Sequence, residues 1–336
     1  MSMNHVHISG VGGYLPDQVL TNKELESSLD TTDAWIIERT GIHQRHIIAR
    51  DQHTSDLGVE AARMALDDAG LSVDDIDAIV VATTTPDMIF PSTASIVQYK
   101  LGGAGQAAWD IQAVCSGFVY GLAHLHGMLA AGMYRRVLLI GAESMSRVVD
   151  WADRSTCILF GDGAGAVVLE ASDAEGGVIG SVLHADGSHR HLLMASNPTA
   201  VNNSPFAEAP DMHFDSAGVA AVEMRGNEVF RMAVGKLGEV VDEVLSKYGL
   251  GHADVDWLVP HQANIRIIQA TAKKLKLGLE RVVVTVDRHA NTSAASVPLA
   301  LNALYRDGRL HAGQLVLLEA FGAGFVWGAN LVHWSK

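Results

Sequence analysis

The feature that most constrains this chain is that it resembles itself. Asp75–Ala82 (DIDAIVVA) has a counterpart in Asp254–His261 (DVDWLVPH), where an acidic loop again leads into a buried strand. The run before Cys115 matches Val282–Asn291 (VVVTVDRHAN), and each leads into a helix of small residues. Arg135–Glu143 (RRVLLIGAE) pairs with Gly313–Phe321 (GQLVLLEAF), and Phe160–Leu169 (FGDGAGAVVL) with Gly322–Leu331 (GAGFVWGANL). Four pairs in the same order imply two copies of one βαβ-type unit. Strand-like and helix-like runs alternate throughout, which predicts α/β halves with largely parallel sheets covered by helices. The boundaries read as residues 1–172 and 220–336, joined by an excursion over 173–219. That excursion, most evident at 194–220, is rich in Asn, Ser and Pro; it is either a functional loop or a plain surface insertion.

Composition narrows the class. With 336 residues and 48% hydrophobic content, the chain can bury a large core. Two cysteines make no disulfide framework, which points to a reducing compartment. No stretch reads as a membrane span or signal segment, so a soluble, cytoplasmic protein is expected. The net charge of −14 argues against nucleic-acid binding. No Cys, His or carboxylate cluster has metal-ligand spacing, so neither a metal nor another cofactor is expected.

Duplication also places a site. Cys115 falls at a strand-to-helix turn, where unpaired N–H groups and the helix dipole favour a thiolate. It is either a nucleophile or a buried, inert cysteine. Asn291 occupies the corresponding turn of the second half, and His261 ends a strand there. All three lie at carboxyl ends of strands, where open α/β sheets bind ligands. Cys, His and Asn together can form a thioester and place two donors on a developing oxyanion. A lone His after an apolar strand is more often a core residue, and His124 and His126, within a helix, receive no role. The glycines around Asp162 fit neither a dinucleotide fingerprint nor a P-loop and read as packing glycines. Arg266, Lys273 and Lys274 share a helix face and form a basic patch on an acidic chain, either a docking surface or a solvated face.

These motifs resemble the β-ketoacyl-acyl-carrier-protein synthase III family of thiolase-like condensing enzymes. The matching runs are Gly10–Pro16 (GVGGYLP), Trp35–Ile42 (WIIERTGI), Cys115–Phe118 (CSGF), Phe160–Ala166 (FGDGAGA), Val259–Arg266 (VPHQANIR), Asp287–Pro298 (DRHANTSAASVP) and Leu318–Phe325 (LEAFGAGF). The resemblance implies a thiolase-like body layered α-β-α-β-α. It implies that Cys115 is acylated by an acyl-CoA primer and that His261 and Asn291 support decarboxylation of malonyl-acyl-carrier protein. Condensation would then give a β-ketoacyl-carrier protein, the initiating step of fatty acid synthesis. Backbone N–H groups of Cys115 and Ala323 would hold the tetrahedral oxyanion. Thr31, Trp35, Arg39, Arg154 and Asn264 would bind CoA and its pantetheine arm. Phe90, Phe230 and Phe321 would line the primer pocket, with Phe90 reaching across a homodimer interface. Arg266, Lys273 and Lys274 would dock the acidic carrier protein. Ala290 and Ala323 stand where the family pattern has Gly, and Ala323 is expected to crowd the oxyanion turn. Two other readings remain: a specialised condensing enzyme of secondary metabolism with another primer or acceptor, and a catalytically silent carrier-binding subunit.

Overall fold

The computed structural model describes residues 5–195 and 221–336. Most of the central excursion, residues 196–220, lies outside the described residues.

The first half runs β1 (His5–Tyr14), β2 (Gln18–Thr21), α1 (Asn22–Glu26), α2 (Asp33–Thr40), β3 (Gln44–Ile47), α3 (Thr54–Ala69), β4 (Ala78–Ala82), α4 (Thr93–Leu101), β5 (Ala107–Ile111), α5 (Gly117–Ala130), β6 (Arg136–Ser144) and β7 (Asp162–Ser172). The rest runs β8 (Gly177–Ala185), β9 (Leu193–Ala195), β10 (Val222–Met224), α6 (Gly226–Lys247), β11 (Trp257–Pro260), α7 (Ile265–Lys274), α8 (Val286–His289), α9 (Ser296–Arg306), β12 (Leu315–Gly322) and β13 (Val326–His333).

Two sheets carry the duplication. The first has the order β1-β7-β6-β4-β5, and the second β11-β12-β13-β8. In the first, β4 lies parallel to both β5 and β6, while β7 is antiparallel to β6 and β1. The second repeats this pattern, with β11 parallel to β12 and an antiparallel run through β13 to β8. The second sheet therefore reaches back to Gly177, inside the segment expected to be connection only. An edge strand of mixed polarity gave the sequence no strong period there.

A second difference lies at Val282. The expected strand is reduced to one parallel bridge with Leu258 and a bond from Val283 N to Leu258 O. The Gln262 side chain substitutes for the missing ladder. Its amide donates to Val283 O, and its oxygen accepts from Thr285 N and Val286 N.

Side-chain alternation explains the layers. On β6, Val137 and Leu139 face a core with α5 and α9, whereas Leu138 and Ile140 face α3. On β12, Val316 and Leu318 face the central core, whereas Leu315 and Leu317 face α6 and α7. Strands buried on both faces read as unbroken apolar runs. The order is thus helices, sheet, α5 with α9, sheet, helices. Gly165 shows how tightly these layers meet: a Cβ there would lie 2.7 Å from the backbone of Pro298 and Leu299. Among the described residues, no helix is long and apolar enough to cross a membrane.

Candidate active site

Cys115 sits in a single 3-10 turn, Val114–Ser116, immediately before α5. Its counterpart in the second half is the turn Ser293–Ala295 before α9. Both turns open on a residue at φ 47°, Val114 and Ser293. A β-branched residue there is strained backbone held by its surroundings. The residue equivalent to Cys115 is therefore Ala294, and Asn291 lies just upstream of that turn. The two turns abut: a Cβ on Gly117 would lie 3.3 Å from that of Ala294. The Ser116 hydroxyl also donates to Val326 O at 3.0 Å, tying the cysteine turn to β13.

Cys115, His261 and Asn291 converge on one cavity of about 360 Å³. His261 follows β11, where its N–H donates to Glu319 O at 2.8 Å. Its Nδ1 lies 2.6 Å from Ser296 Oγ, and that oxygen also accepts from Gln262 N at 3.4 Å. These bonds leave the Ser296 hydroxyl able to donate to His261 Nδ1. In that arrangement the proton of the neutral ring sits on Nε2, which becomes a donor. Burial holds the ring neutral, pushing its pKa down to about 3. The Asn291 backbone is pinned against Leu159 O and Gly161 N. Its Oδ1 accepts from Ser293 N at 2.9 Å, so Nδ2 is the group left to donate.

The thiol corrects one expectation. Burial pushes Cys115 up from 9.0 to about 12, the Ser293 hydroxyl opposes this, and Glu143 adds to it. That rise corresponds to about 4 kcal/mol, against at most about 2 kcal/mol for a helix terminus. Desolvation wins, and the resting group is a neutral thiol.

Around this centre the expected residues fall into distinct places. Trp35, Arg39 and Asn264 line the cavity. The guanidinium groups of Arg154 and Arg39 lie 5.1 and 5.6 Å from the centre of the Trp35 ring. Thr31 lies on the turn before α2 with a buried, unpartnered hydroxyl. Asn264 caps α7 through Oδ1, which accepts from Ile267 N at 3.0 Å, so its amide nitrogen is free to donate. Phe230 and Phe321 line the cavity, and Phe321 packs on Phe325 at 4.6 Å. Phe90 does not line it. Its side chain is 81% exposed beside exposed Met88 and Ile89. An apolar tip pointing into solvent cannot close a pocket of its own chain.

Arg266 also lines the cavity, with its guanidinium 5.5 Å from the Phe230 ring. Lys273 is exposed on α7, while the Lys274 amine donates to Gly235 O at 3.1 Å on α6. Of these three cations, Lys274 is committed to α6 and Arg266 to the cavity wall. Ala323 follows Gly322, whose Cβ, if present, would lie 2.8 Å from Cys115 N. Ala323 is not at positive φ, so its methyl carries no backbone penalty; Ala290, at φ 57°, does. Asp162 ties loops together, accepting from Ile48 N and Ser146 N.

Three residues escaped the sequence reading: Glu143, Ser293 and Ser296. Ser293 and Ser296 lie inside the quoted run after Asn291, but hydroxyls are too common to signal. Glu143 ends an apolar strand, and a carboxylate there was the signal available.

Two duplicated halves in five layers, with a cysteine turn facing a His and an Asn, are the architecture of thiolase-like condensing enzymes. Comparison narrows the class. Family models described as 3-oxoacyl-[acyl-carrier-protein (ACP)] synthase III and its C-terminal region match residues 109–187 and 245–334. A beta-ketoacyl-[acyl-carrier-protein] synthase III of Thiobacillus denitrificans is 54% identical over 99% of this chain and 100% of its own. The crystal structure of 3-oxoacyl-[acyl-carrier-protein] synthase III from Aquifex aeolicus superposes with a TM-score of 0.90 at 42% identity, covering 98% of this chain and 100% of that one. The priming β-ketosynthase of the R1128 polyketide pathway superposes at 0.91 with 35% identity, covering 100% and 98%. The chain belongs to the 3-oxoacyl-acyl-carrier-protein synthase III family. It is a condensing acyltransferase with a role in fatty acid synthesis.

Proposed function

We propose that Cys115 takes an acyl group from an acyl-CoA primer and passes it to a malonyl-derived carbanion on acyl-carrier protein. The observation that carries this reading is the convergence of Cys115, His261 and Asn291 on one cavity. Trp35 and Arg154 offer a stacking surface for adenine, Arg39 a cation for phosphates, and Thr31 and the free Asn264 amide offer polar contacts.

In the first half-reaction the Cys115 sulfur attacks the primer thioester and CoA leaves. Backbone N–H groups of Cys115 and Ala323 hold the tetrahedral oxyanion. In the second, His261 Nε2–H and Asn291 Nδ2–H bond the malonyl thioester oxygen as carbon dioxide departs. Because burial holds His261 neutral, it stabilises the enolate as a hydrogen-bond donor, not as a cation. The carbanion then attacks the acyl-Cys115 carbonyl, releasing a β-ketoacyl-carrier protein. No cofactor enters this scheme. Arg266 at the cavity and the exposed Lys273 further along α7 supply positive charge for an acidic carrier protein.

Exposed Met88, Ile89 and Phe90 on the loop after β4, with Tyr99 on α4, make an apolar patch that suits a homodimer. In that assembly Phe90 would reach the partner's primer pocket. A specialised primer remains the second reading, favoured by the likeness to the priming ketosynthase. Incubation with a panel of acyl-CoAs, followed by intact mass measurement, tests the proposal. An acyl adduct that disappears in Cys115→Ala is expected. No adduct with any acyl-CoA, or one that persists in Cys115→Ala, would overturn it. The chain length of the best adduct chooses between the two primers.

A further inference from the structure

Gln262 is fully buried and follows His261 directly in the chain. Its side chain bonds only to backbone. The amide nitrogen donates to Pro260 O at 2.8 Å and to Val283 O at 3.1 Å. The oxygen accepts from Thr285 N at 2.8 Å and from Val286 N at 3.1 Å. Two carbonyls on one side and two N–H groups on the other settle which end is nitrogen. The four bonds use the whole donor and acceptor capacity of the amide.

The two ends of this clamp serve different neighbours. At one end, the bond to Pro260 O closes a short turn around His261, whose own N–H is held by Glu319 O. The Gln262 N–H also reaches Ser296 Oγ at 3.4 Å, and that oxygen lies 2.6 Å from His261 Nδ1. At the other end stands α8, a single turn of four residues. A lone turn fixes many dihedrals for few hydrogen bonds and needs outside support. Its N-cap, Thr285, makes no side-chain cap bond, and the Thr285 hydroxyl is buried without a partner. Among the described residues, the acceptor for both Thr285 N and Val286 N is Gln262 Oε1. Val286 O in turn accepts from the N–H of Ala290 at 3.1 Å, the residue before Asn291. The turn that delivers Asn291 is thus capped by the residue next to His261. Elsewhere the two are anchored apart: Asn291 to Leu159 and Gly161 of the first half, His261 to β12 of the second.

We propose that Gln262 is a positioning residue that sets the spacing between His261 Nε2 and Asn291 Nδ2. The inference rests on the decarboxylating role given to that pair above. Two donors can share one developing oxyanion only if each lies about 3 Å from it. An error of ~1 Å in either costs about 100-fold in rate. Cys115 sits on a separate turn, tied to β13 through Ser116, and no bond of Gln262 reaches that turn. Loss of the clamp should therefore divide the two half-reactions.

The experiment compares wild type with Gln262→Met, which keeps the side-chain length and removes every bond of the amide, and with Gln262→Glu. The latter keeps an oxygen for Thr285 N and Val286 N but loses the donors to Pro260 O and Val283 O. Single-turnover acylation of Cys115 is followed by mass, with decarboxylation of malonyl-carrier protein in parallel. Both rates are expressed per acylatable site, so unfolded protein does not count. Decarboxylation should fall about 100-fold in Gln262→Met and about tenfold in Gln262→Glu, while acylation stays within a few-fold of wild type. Equal loss of both half-reactions overturns the proposal, since that marks a merely structural role. So does a Gln262→Met variant with the wild-type ratio. His261→Ala and Asn291→Ala are run alongside; wild-type decarboxylation in both removes the parent reading instead. If neither Gln262 variant folds, amide exchange on wild type decides. The Thr285 and Val286 N–H groups should then exchange as slowly as those of β12, and exchange at loop rates overturns the clamp.

Discussion

Gly141 offers a sharp test of how the site is held, because a single methyl there would push on backbone alone. A Cβ added at Gly141 on β6 would lie 2.4 Å from Ala294 O, 3.0 Å from its carbonyl carbon and 3.3 Å from Ala295 Cα. None of these atoms belongs to a side chain that can rotate away. To reach ordinary contact the Ser293–Ala295 turn must retreat by about 0.6–1 Å. That turn carries the N–H that orients Asn291 and the hydroxyl that meets Glu143. Gly141→Ala should therefore cost about 1–3 kcal/mol of stability, as overpacking does. It should also cut condensation about 100-fold, as misplacement by ~1 Å does. Gly127 on α5 is the internal control. It is exposed, and nothing lies within 4 Å of its would-be Cβ. Gly127→Ala should raise stability by up to about 1 kcal/mol through helix propensity and leave the rate unchanged. Urea unfolding and steady-state assays on both variants provide the comparison. If Gly141→Ala matches wild type in midpoint and kcat, the turn is not held as described.

Two further outcomes follow from charge and burial. Lys273→Glu should raise KM for malonyl-carrier protein several-fold without moving KM for acyl-CoA. Lys274→Glu should do so less, and lose stability, because its amine is tied to Gly235 O; steady-state kinetics with each substrate varied decides this. Glu319 is buried without any partner for its carboxyl, and burial pushes it up to about 8 from 4.5. Between those values the folded protein holds a proton that the unfolded chain has released. Stability is therefore full below about pH 4.5 and falls as pH rises through 8. Glu319→Gln should remove that slope, a difference of a few kcal/mol at pH 8; parallel thermal melts from pH 5 to 9 would show it, and coincident slopes would refute it.

Much of this architecture was legible because duplication is written in strand patterns. Each apolar run of β4, β6, β11 and β12 is buried on both faces, and its twin confirms it. Cys115 and His261 were legible because strand ends collect functional groups; Asn291 was reached by the same reasoning, although it follows α8 rather than a strand. The limits have equally physical causes. The hydrogen bonds of Gln262 replace a strand that its sequence promises. The hydrogen bond between Ser293 and Glu143 spans 150 positions along the chain, and nothing local marks either end. The thiol environment depends on how much water the folded turns exclude, which helix position alone does not reveal. Phe90 reads as an apolar pocket residue, yet the chain's own core does not cover it.

The paired turns at Val114 and Ser293 have an evolutionary corollary. Both copies keep the same unusual backbone angle, but only one carries a sulfur atom; the other has Ala294 in its place. Repetition thus supplied the geometry twice, and divergence then gave each copy a separate task. One turn retained reactivity, while its twin became a scaffold for the neighbours that serve it. At these turns the asymmetry of the chemistry is a few side chains deep, laid over one shared backbone angle.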